Sequence, residues 1–319
     1  MLTGSVGTPA LWFGFLGFVF VMLALDLGVF HRKSHVISVR EALGWSVVWI
    51  SLALVFNGIV WAMFGGEKAL EFLLGYVIEK SLSVDNIFVF VVIFSALGIP
   101  LIQQHRVLFW GILTALVLRA AMIFAGTAMI TRFHWVMYVF GGFLILTGIK
   151  LFFGKEEEQD PTKSSAMRIA RKIIPTTDEL DGDKFFTVQN GKRVATRLFL
   201  ALVLVEVSDV IFAVDSIPAI FGVTTDPFIV FTSNIFAILG LRSLFFVLAG
   251  FVDKFRYLKV GLAIVLAFVG CKLVLVDVVK IPPLLSLGII ASVLILAVSA
   301  SLTASKREAE EAARRGDQS

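Results

Sequence analysis

The chain has a single cysteine, Cys271, so no disulfide can form within it, and cysteine usage leaves the redox compartment undecided. Charge is scarce as well. Asp, Glu, Lys and Arg make up 16% of the 319 residues against 58% hydrophobic ones, at a mean hydropathy of +0.92. That balance excludes a soluble globule and reads as an integral membrane protein. Proline is rare, with 8 copies, which suits helices in lipid; the 26 glycines allow close helix approach there. His31, His35, His105 and His134 are scattered at span ends, and neither a His-Glu-x-x-His nor a paired-cysteine zinc pattern occurs. The N-terminus lacks a basic region and a small-residue cleavage site, so its apolar run reads as a retained first span. Nothing points to a nucleic-acid partner, and the net charge of +4 says less than its distribution.

Nine apolar segments long enough to span a bilayer run over about 9–30, 41–64, 69–98, 105–129, 133–153, 197–221, 227–250, 256–279 and 281–303. In lipid a backbone must satisfy its own hydrogen bonds, so each is expected to be a helix. The fold expected is an all-α polytopic membrane protein of about nine transmembrane helices. Two N-terminal helices (1–66) precede a first three-helix unit (67–153), a cytoplasmic loop (154–196), a second three-helix unit (197–280), a last helix (281–304) and a tail (305–319). Twenty Lys and Arg residues fall on one side of this arrangement and three, Lys68, Arg132 and Lys280, on the other. The positive-inside rule then places the N-terminus outside and the C-terminus in the cytoplasm of a multi-pass inner-membrane protein.

The long loop carries its own signals. Met167, Ala170 and Ile174 recur at helical spacing beside Arg168, Arg171 and Lys172, which suggests a short basic helix on the anionic inner leaflet. Phe185 to Val194, with Asn190-Gly191 in the middle, reads as a β-hairpin. The charged tail from Ser305 reads as helix giving way to disorder.

Polar residues at bilayer depth carry the functional reading. The segment 197–221 contains Glu206, Asp209 and Asp215, and the segment 69–98 contains Glu79 and Asp85. Each ionised acid at the centre of a span costs roughly 3 kcal/mol by insertion scales, so five of them need compensation by a cation, a proton or a basic side chain. A shift of about 130 residues lays Val84-Asp85-Asn86-Ile87 on Val214-Asp215-Ser216-Ile217 and Glu79 on Asp209. Further on, with the intervening loops differing by a few residues, Leu118-Arg119 matches Leu241-Arg242, and Gly148-Ile149-Lys150-Leu151 matches Gly270-Cys271-Lys272-Leu273. With three spans per unit, the two units enter the membrane from opposite sides. They are therefore expected to be inverted repeats with a site at their interface near the midplane.

Glu79, Ser83 and Asn86 share one helix face, whereas Asp85 and Asp215 lie about 120° round from Glu79 and Asp209. Convergence of all five acids therefore needs a broken helix or a cavity that wraps round the helices, and Pro218 suggests a break beside Asp215. Carboxylates, an amide and hydroxyls suit hard divalent cations (Mn²⁺, Mg²⁺ or Ca²⁺) and not Cu(I) or tetrahedral zinc. Clustered acids also favour retaining protons until metal enters, a physical basis for metal/proton exchange. Arg119, Arg242 and Lys80 read as structural counter-charges to the acids, and Arg119 and Arg242 also as gating groups that neutralise the acids when no cation is bound. Lys150 and Lys272 snorkel from span ends, and Asp26, Asn57 and Asn234 read as isolated interhelical hydrogen-bond formers.

At Glu79-Lys-Ser-Leu-Ser-Val-Asp-Asn86, Glu206-Val-Ser-Asp-Val-Ile-Phe-Ala-Val-Asp-Ser-Ile-Pro218, Thr224-Thr-Asp-Pro227 and Ser233 to Arg242 the sequence closely resembles the TerC family, within it the Alx-like branch. The resemblance covers essentially the whole chain. It implies divalent-metal handling, chiefly manganese export, with the acids as site residues. Glu79, Asp85, Glu206, Asp209 and Asp215 are then the expected metal ligands, assisted by Asn86 and Ser216. No permanently bound cofactor and no enzymatic activity are expected, and Mn²⁺ is the transported ion. Two other classes compete. An intramembrane aspartyl protease would need a Gly-x-Gly-Asp motif, which is missing. A membrane partner that hands metal to other proteins would work through the loop 154–196.

Overall fold

The computed structural model describes residues 5–28, 38–153, 164–249 and 257–316; side chains are described over 5–25, 38–153 apart from Asp85, 164–249 and 257–305. Helices dominate. In chain order they are α1 (Pro9–Gly28), α2 (Val39–Phe64), α3 (Gly66–Ala96), α4 (Leu101–Arg132) and α5 (Val136–Phe153), then α6 (Ser165–Ile173) and the strands β1 (Phe186–Gln189) and β2 (Lys192–Ala195). After the strands come α7 (Arg197–Phe221), α8 (Pro227–Leu239), α9 (Leu241–Leu248), α10 (Leu258–Val274) and α11 (Pro283–Gly316). Each of the nine apolar segments coincides with a helix or, for 227–250, with the pair α8–α9. Among the described residues four helices, α2, α4, α5 and α11 up to Ser305, are long and apolar enough to cross a membrane, or five if the pair α8–α9, bent by 40°, is one span. At 31 and 25 residues α3 and α7 have the length, but the acids along them break up their apolar windows.

Close approaches at small residues fix how these helices run past one another. A Cβ built on Gly141 of α5 would lie 2.8 Å from the carbonyl oxygen of Gly270, and one on Gly148 would lie 2.8 Å from that of Ala263. Going up α5 thus means going down α10, so the two are antiparallel with their backbones in contact, a packing that only small residues permit. In the same way Gly75 of α3 lies beside Ile220 of α7, while Asn86, further along α3, reaches back to Asp209. The helices α3 and α7 are therefore antiparallel too. By contrast α4 runs parallel to α7, with Gly111 at Val205 and Gly126 at the Phe221 ring. Helix α8 runs parallel to α3, from Gly75–Ser233 to Lys80–Ala237.

The turn into α8 has a sequence-encoded start. Asp226 is the N-cap, its Oδ1 accepting from Phe228 N at 3.0 Å, and Pro227 follows in the first turn, where its missing N–H has no consequence. The same carboxylate accepts from Ser5 Oγ and Val6 N, both at 2.9 Å, which ties the N-terminal segment over the α7–α8 turn.

Two local expectations are corrected. Helix α7 runs through Pro218 without a break. The proline falls in the last turn, so only the bond to the Val214 carbonyl is lost, and the chain instead breaks at Gly240 in the next helix. The stripe Met167 and Ala170 on α6 faces protein, not the leaflet: both are buried against Leu198, Ala201 and neighbouring apolar side chains. The outward residues are Ile169 and Ile173, beside Arg168 and Lys172. The hairpin forms as the sequence indicates, Phe186 pairing with Ala195 and Gln189 with Lys192. Its two-residue turn holds Asn190 at φ 51° and Gly191 at φ 73°, the left-handed pair that an Asn-Gly turn supplies.

Candidate functional site

Where α3, α4, α7 and α8 meet, Arg119 of α4 is 1% exposed. A guanidinium cannot lose its charge, so at this depth it must be paired. It is paired twice. Toward α7, its Nε and Nη2 donate to Asp209 Oδ2 at 3.3 Å and Oδ1 at 2.9 Å, a bidentate fork. Toward α3, Nη1 donates to Glu79 Oε1. The same nitrogen lies 3.4 Å from Ser216 Oγ and 3.5 Å from Asn234 Oδ1. Asn234 Nδ2 donates to Glu79 Oε2 at 3.0 Å, and Asn86 Nδ2 donates to Asp209 Oδ1 at 3.4 Å. Glu79, Asn86, Arg119, Ser216 and Asn234 are each at most 1% exposed and Asp209 is 5% exposed. Two carboxylates face one guanidinium, so the centre carries one formal negative charge more than its fixed cation balances.

Some acceptors at the centre stay unfilled. Ser83 Oγ and Asn86 Oδ1 are buried without a hydrogen-bond partner, while the half-buried Glu206 carboxylate has the Thr114 hydroxyl of α4 beside it. Glu206 lies one turn before Asp209 on α7, with Gly111 of α4 as its neighbour. The sixth residue after Asp209 goes elsewhere: Asp215 Oδ1 accepts from Thr147 Oγ1 of α5 at 3.1 Å. Because α7 stays helical through Pro218, residues six apart stand about 120° round the axis and meet different neighbours. The side chain of Asp85 lies outside the described residues, as does that of Asp26.

Of the seven expected ligands, then, Glu79, Asp209, Asn86 and Ser216 come together round Arg119. Glu206 stands a turn away, Asp215 turns to α5, and Asp85 is not described. Among the described residues no three His, Cys, Asp or Glu side chains gather closely enough to hold a metal ion alone. Arg242 is buried at 5% exposure in α9. Asn234, which sequence reasoning treated as an isolated hydrogen-bond former, does form an interhelical hydrogen bond, but with a site acid. Its signal was its place, an amide eight residues before Arg242 in a largely apolar segment. Lys272 donates to Ser286 Oγ at 3.1 Å, and Lys150 is exposed. An apolar groove of about 320 Å³ between α1 and α2, lined by Phe15, Phe18, Phe56, Phe228 and Phe236, holds none of the acids.

A bundle of apolar helices closed round a carboxylate–guanidinium centre defines an integral, multi-pass membrane protein built around buried charge. Residues 64–309 match the TerC family of integral membrane proteins, and the chain belongs to that family. Its relatives include the membrane protein STKORF319 of Myxococcus xanthus, 66% identical over 302 residues and 95% of each chain. They also include Alx, a proposed membrane-bound redox modulator. The Salmonella typhi Alx is 49% identical over 299 residues (91% of this chain, 93% of the relative), and the Escherichia coli K12 protein is 48% identical over 301 (92% and 94%). The Alx-like branch is thereby supported. No solved structure matches the chain.

Proposed function

We propose that this protein exports a divalent cation, Mn²⁺ by the chemistry of its ligands and the family resemblance, from the cytoplasm across the inner membrane in exchange for protons. The observation that carries the reading is Arg119 seated on Glu79 and Asp209. A cation already sits there, supplied by the protein. A divalent ion and the guanidinium cannot occupy the same carboxylate oxygens, so loading means displacing Arg119 from at least one acid, and release lets it return. Asn86 and Ser216 add neutral oxygens of the hard kind that Mn²⁺ accepts. Glu206 and Asp85 are the further acids within a turn or two along α7 and α3, and Asp215 with Thr147 forms a polar step toward α5.

The nine-helix, inverted-repeat architecture belongs to this proposal, and the pairings support it. The alignment that lays Gly148 on Gly270 lays Gly141 on Ala263. Exchanging the two units turns the Gly141–Gly270 approach into the Gly148–Ala263 approach, and both occur. The Asn86–Asp209 contact becomes Glu79–Ser216, and Arg119 bridges those two. Antiparallel α3 and α7 are what inversion requires, whereas a direct repeat related by an axis along the membrane normal would run them parallel. The N-terminus outside and the C-terminus in the cytoplasm follow from the basic loops.

The redox name of the Alx relatives suggests a second chemistry, but a dithiol couple within this chain would need two cysteines and it has one, Cys271. A metal-handing role for the loop 154–196, of which 154–163 lie outside the described residues, is less well supported. The described part is fastened to the bundle: Arg197 Nε of α7 donates to Asp178 O at 2.8 Å, and Gln103 Nε2 of α4 to Gly182 O at 2.7 Å. The test is uptake of Mn²⁺, Mg²⁺, Ca²⁺ and Zn²⁺ by inverted vesicles. The expected result is Mn²⁺ uptake that grows when the lumen is made acidic and disappears in Glu79→Gln. Absence of uptake, or uptake indifferent to Glu79→Gln, overturns the reading.

A further inference from the structure

We propose that Lys80 is a positioning residue for transport: its ammonium pins the end of α8 at the Gly240 break and thereby sets Asn234 on Glu79. The inference rests on the transport reading above. Lys80 follows Glu79 directly in α3, so the two side chains leave the helix about 100° apart. Glu79 turns to Arg119. Lys80 turns to α8, where its Nζ donates to the carbonyl of Ala237 at 3.2 Å. Ala237 is among the last four residues of α8, whose carbonyls lose their helical donors at the break, and this negative end of the helix dipole suits a cation. Among the described residues no carboxylate pairs with Lys80. An ammonium at bilayer depth costs several kcal/mol on insertion scales, more than one surplus carbonyl bond returns, so packing alone is a poor reason to keep it there.

The break itself is shaped for this side chain. A Cβ built on Gly240 would stand 2.7 Å from Lys80 Nζ and 3.2 Å from Trp49 Cβ. Only glycine leaves the ammonium its place. Consecutive residues of opposite charge on α3 thus hold α8 at Asn234 and Ala237, three residues apart and so on neighbouring turns of one face. The segment they hold adjoins the 40° joint between α8 and α9. Among the described residues, Lys80 therefore acts on the acids through α8 without an ion pair to them. Loosening it shifts Asn234 relative to Glu79 and weakens cation binding more than it slows turnover.

The test is Mn²⁺ uptake by inverted vesicles carrying wild type, Lys80→Met, Lys80→Arg, Gly240→Ala and the double variant Lys80→Met/Gly240→Ala, with KM and maximal rate read separately. Lys80→Met is expected to raise KM about tenfold with a smaller change in rate, the effect of one lost positioning hydrogen bond. Lys80→Arg recovers part of it. Gly240→Ala raises KM when Lys80 is present and adds nothing when it is absent. If Lys80→Met does not reach the membrane, Gly240→Ala, which keeps the charge and only displaces it, decides alone. Wild-type KM in Gly240→Ala, or fully additive effects in the double variant, overturns the proposal while leaving transport standing. Absent wild-type uptake instead sinks the transport reading, and this inference with it.

Discussion

Arg119 and Arg242 occupy matching places in the two halves of the chain, but the helices that carry them differ. Helix α4 is 32 residues long, unbroken and apolar enough to span, whereas its counterpart is split at Gly240 and bent by 40° two residues before Arg242. The unbroken helix holds the guanidinium that two acids share. The broken one supplies Asn234, the neutral group that touches one of those acids, and has its end held by Lys80. One half thus fixes the charge while the other carries the bend, and on the transport reading that bend is the joint that moves. A transporter needs both, because a site that grips equally well in every conformation releases nothing.

Removing the fixed cation should break this contrast most severely. Arg119→Met leaves Glu79 and Asp209 buried and uncompensated, a loss of about 3–5 kcal/mol by analogy with broken buried pairs. Folded yield and Tm in detergent should drop steeply, and added Mn²⁺ should raise the variant's Tm more than that of wild type, since the ion takes over the missing charge. Equal stabilisation of the two proteins by Mn²⁺ would separate the ion from these acids. Next in size is transport itself. Asp85→Ala and Asp215→Ala are each expected to abolish Mn²⁺ flux with membrane insertion intact, and Thr147→Val to lower flux partially; normal efflux from either aspartate variant counts against its assignment.

Smaller effects probe the frame. Gly148→Leu forces side chain into the Ala263 backbone and should cost about 1–3 kcal/mol, while Gly142→Leu, with nothing within 4 Å of its Cβ position, should stay within about 0.5 kcal/mol. Comparable Tm values for the two would contradict the α5–α10 contact. The smallest effect lies in the hairpin loop. The hydroxyl of Thr187 at 2.8 Å and the ammonium of Lys184 at 3.0 Å hold the exposed Asp181 carboxyl below the usual carboxylate range. A lowered folded-state value stabilises the loop above the unfolded carboxylate pKa and stops doing so as pH falls through the folded one. Amide protection factors at the hairpin, taken relative to the intrinsic exchange rate at each pH, should accordingly fall in acid in wild type, and show less of that dependence in Asp181→Asn.

Helix positions and the buried acids could be read from the sequence because both follow from the cost of polar groups in lipid. The Asn-Gly turn was legible for a similarly local reason: few residues accept two successive positive φ values. Direction round a helix was harder. The 120° between Asp209 and Asp215 was visible in their spacing, but Pro218 suggested a break that would bring them together. The helix instead absorbs the proline in its last turn and leaves Asp215 with Thr147. Hydropathy also cannot tell a face buried in protein from one in lipid headgroups, so Met167 and Ala170 were placed on the wrong neighbour. Asn234 was legible as an interhelical hydrogen-bond former but not as the partner of Glu79, and Gly240 was not legible at all, because both roles depend on what α3 brings to them.

The central claim is that Mn²⁺ and Arg119 compete for Glu79 and Asp209. The most direct test is equilibrium binding of radioactive manganese to the purified protein in detergent, comparing wild type with Glu79→Gln and Asp209→Asn. Saturable binding that both substitutions abolish or greatly weaken is the result expected. Unchanged affinity in both variants would contradict the claim.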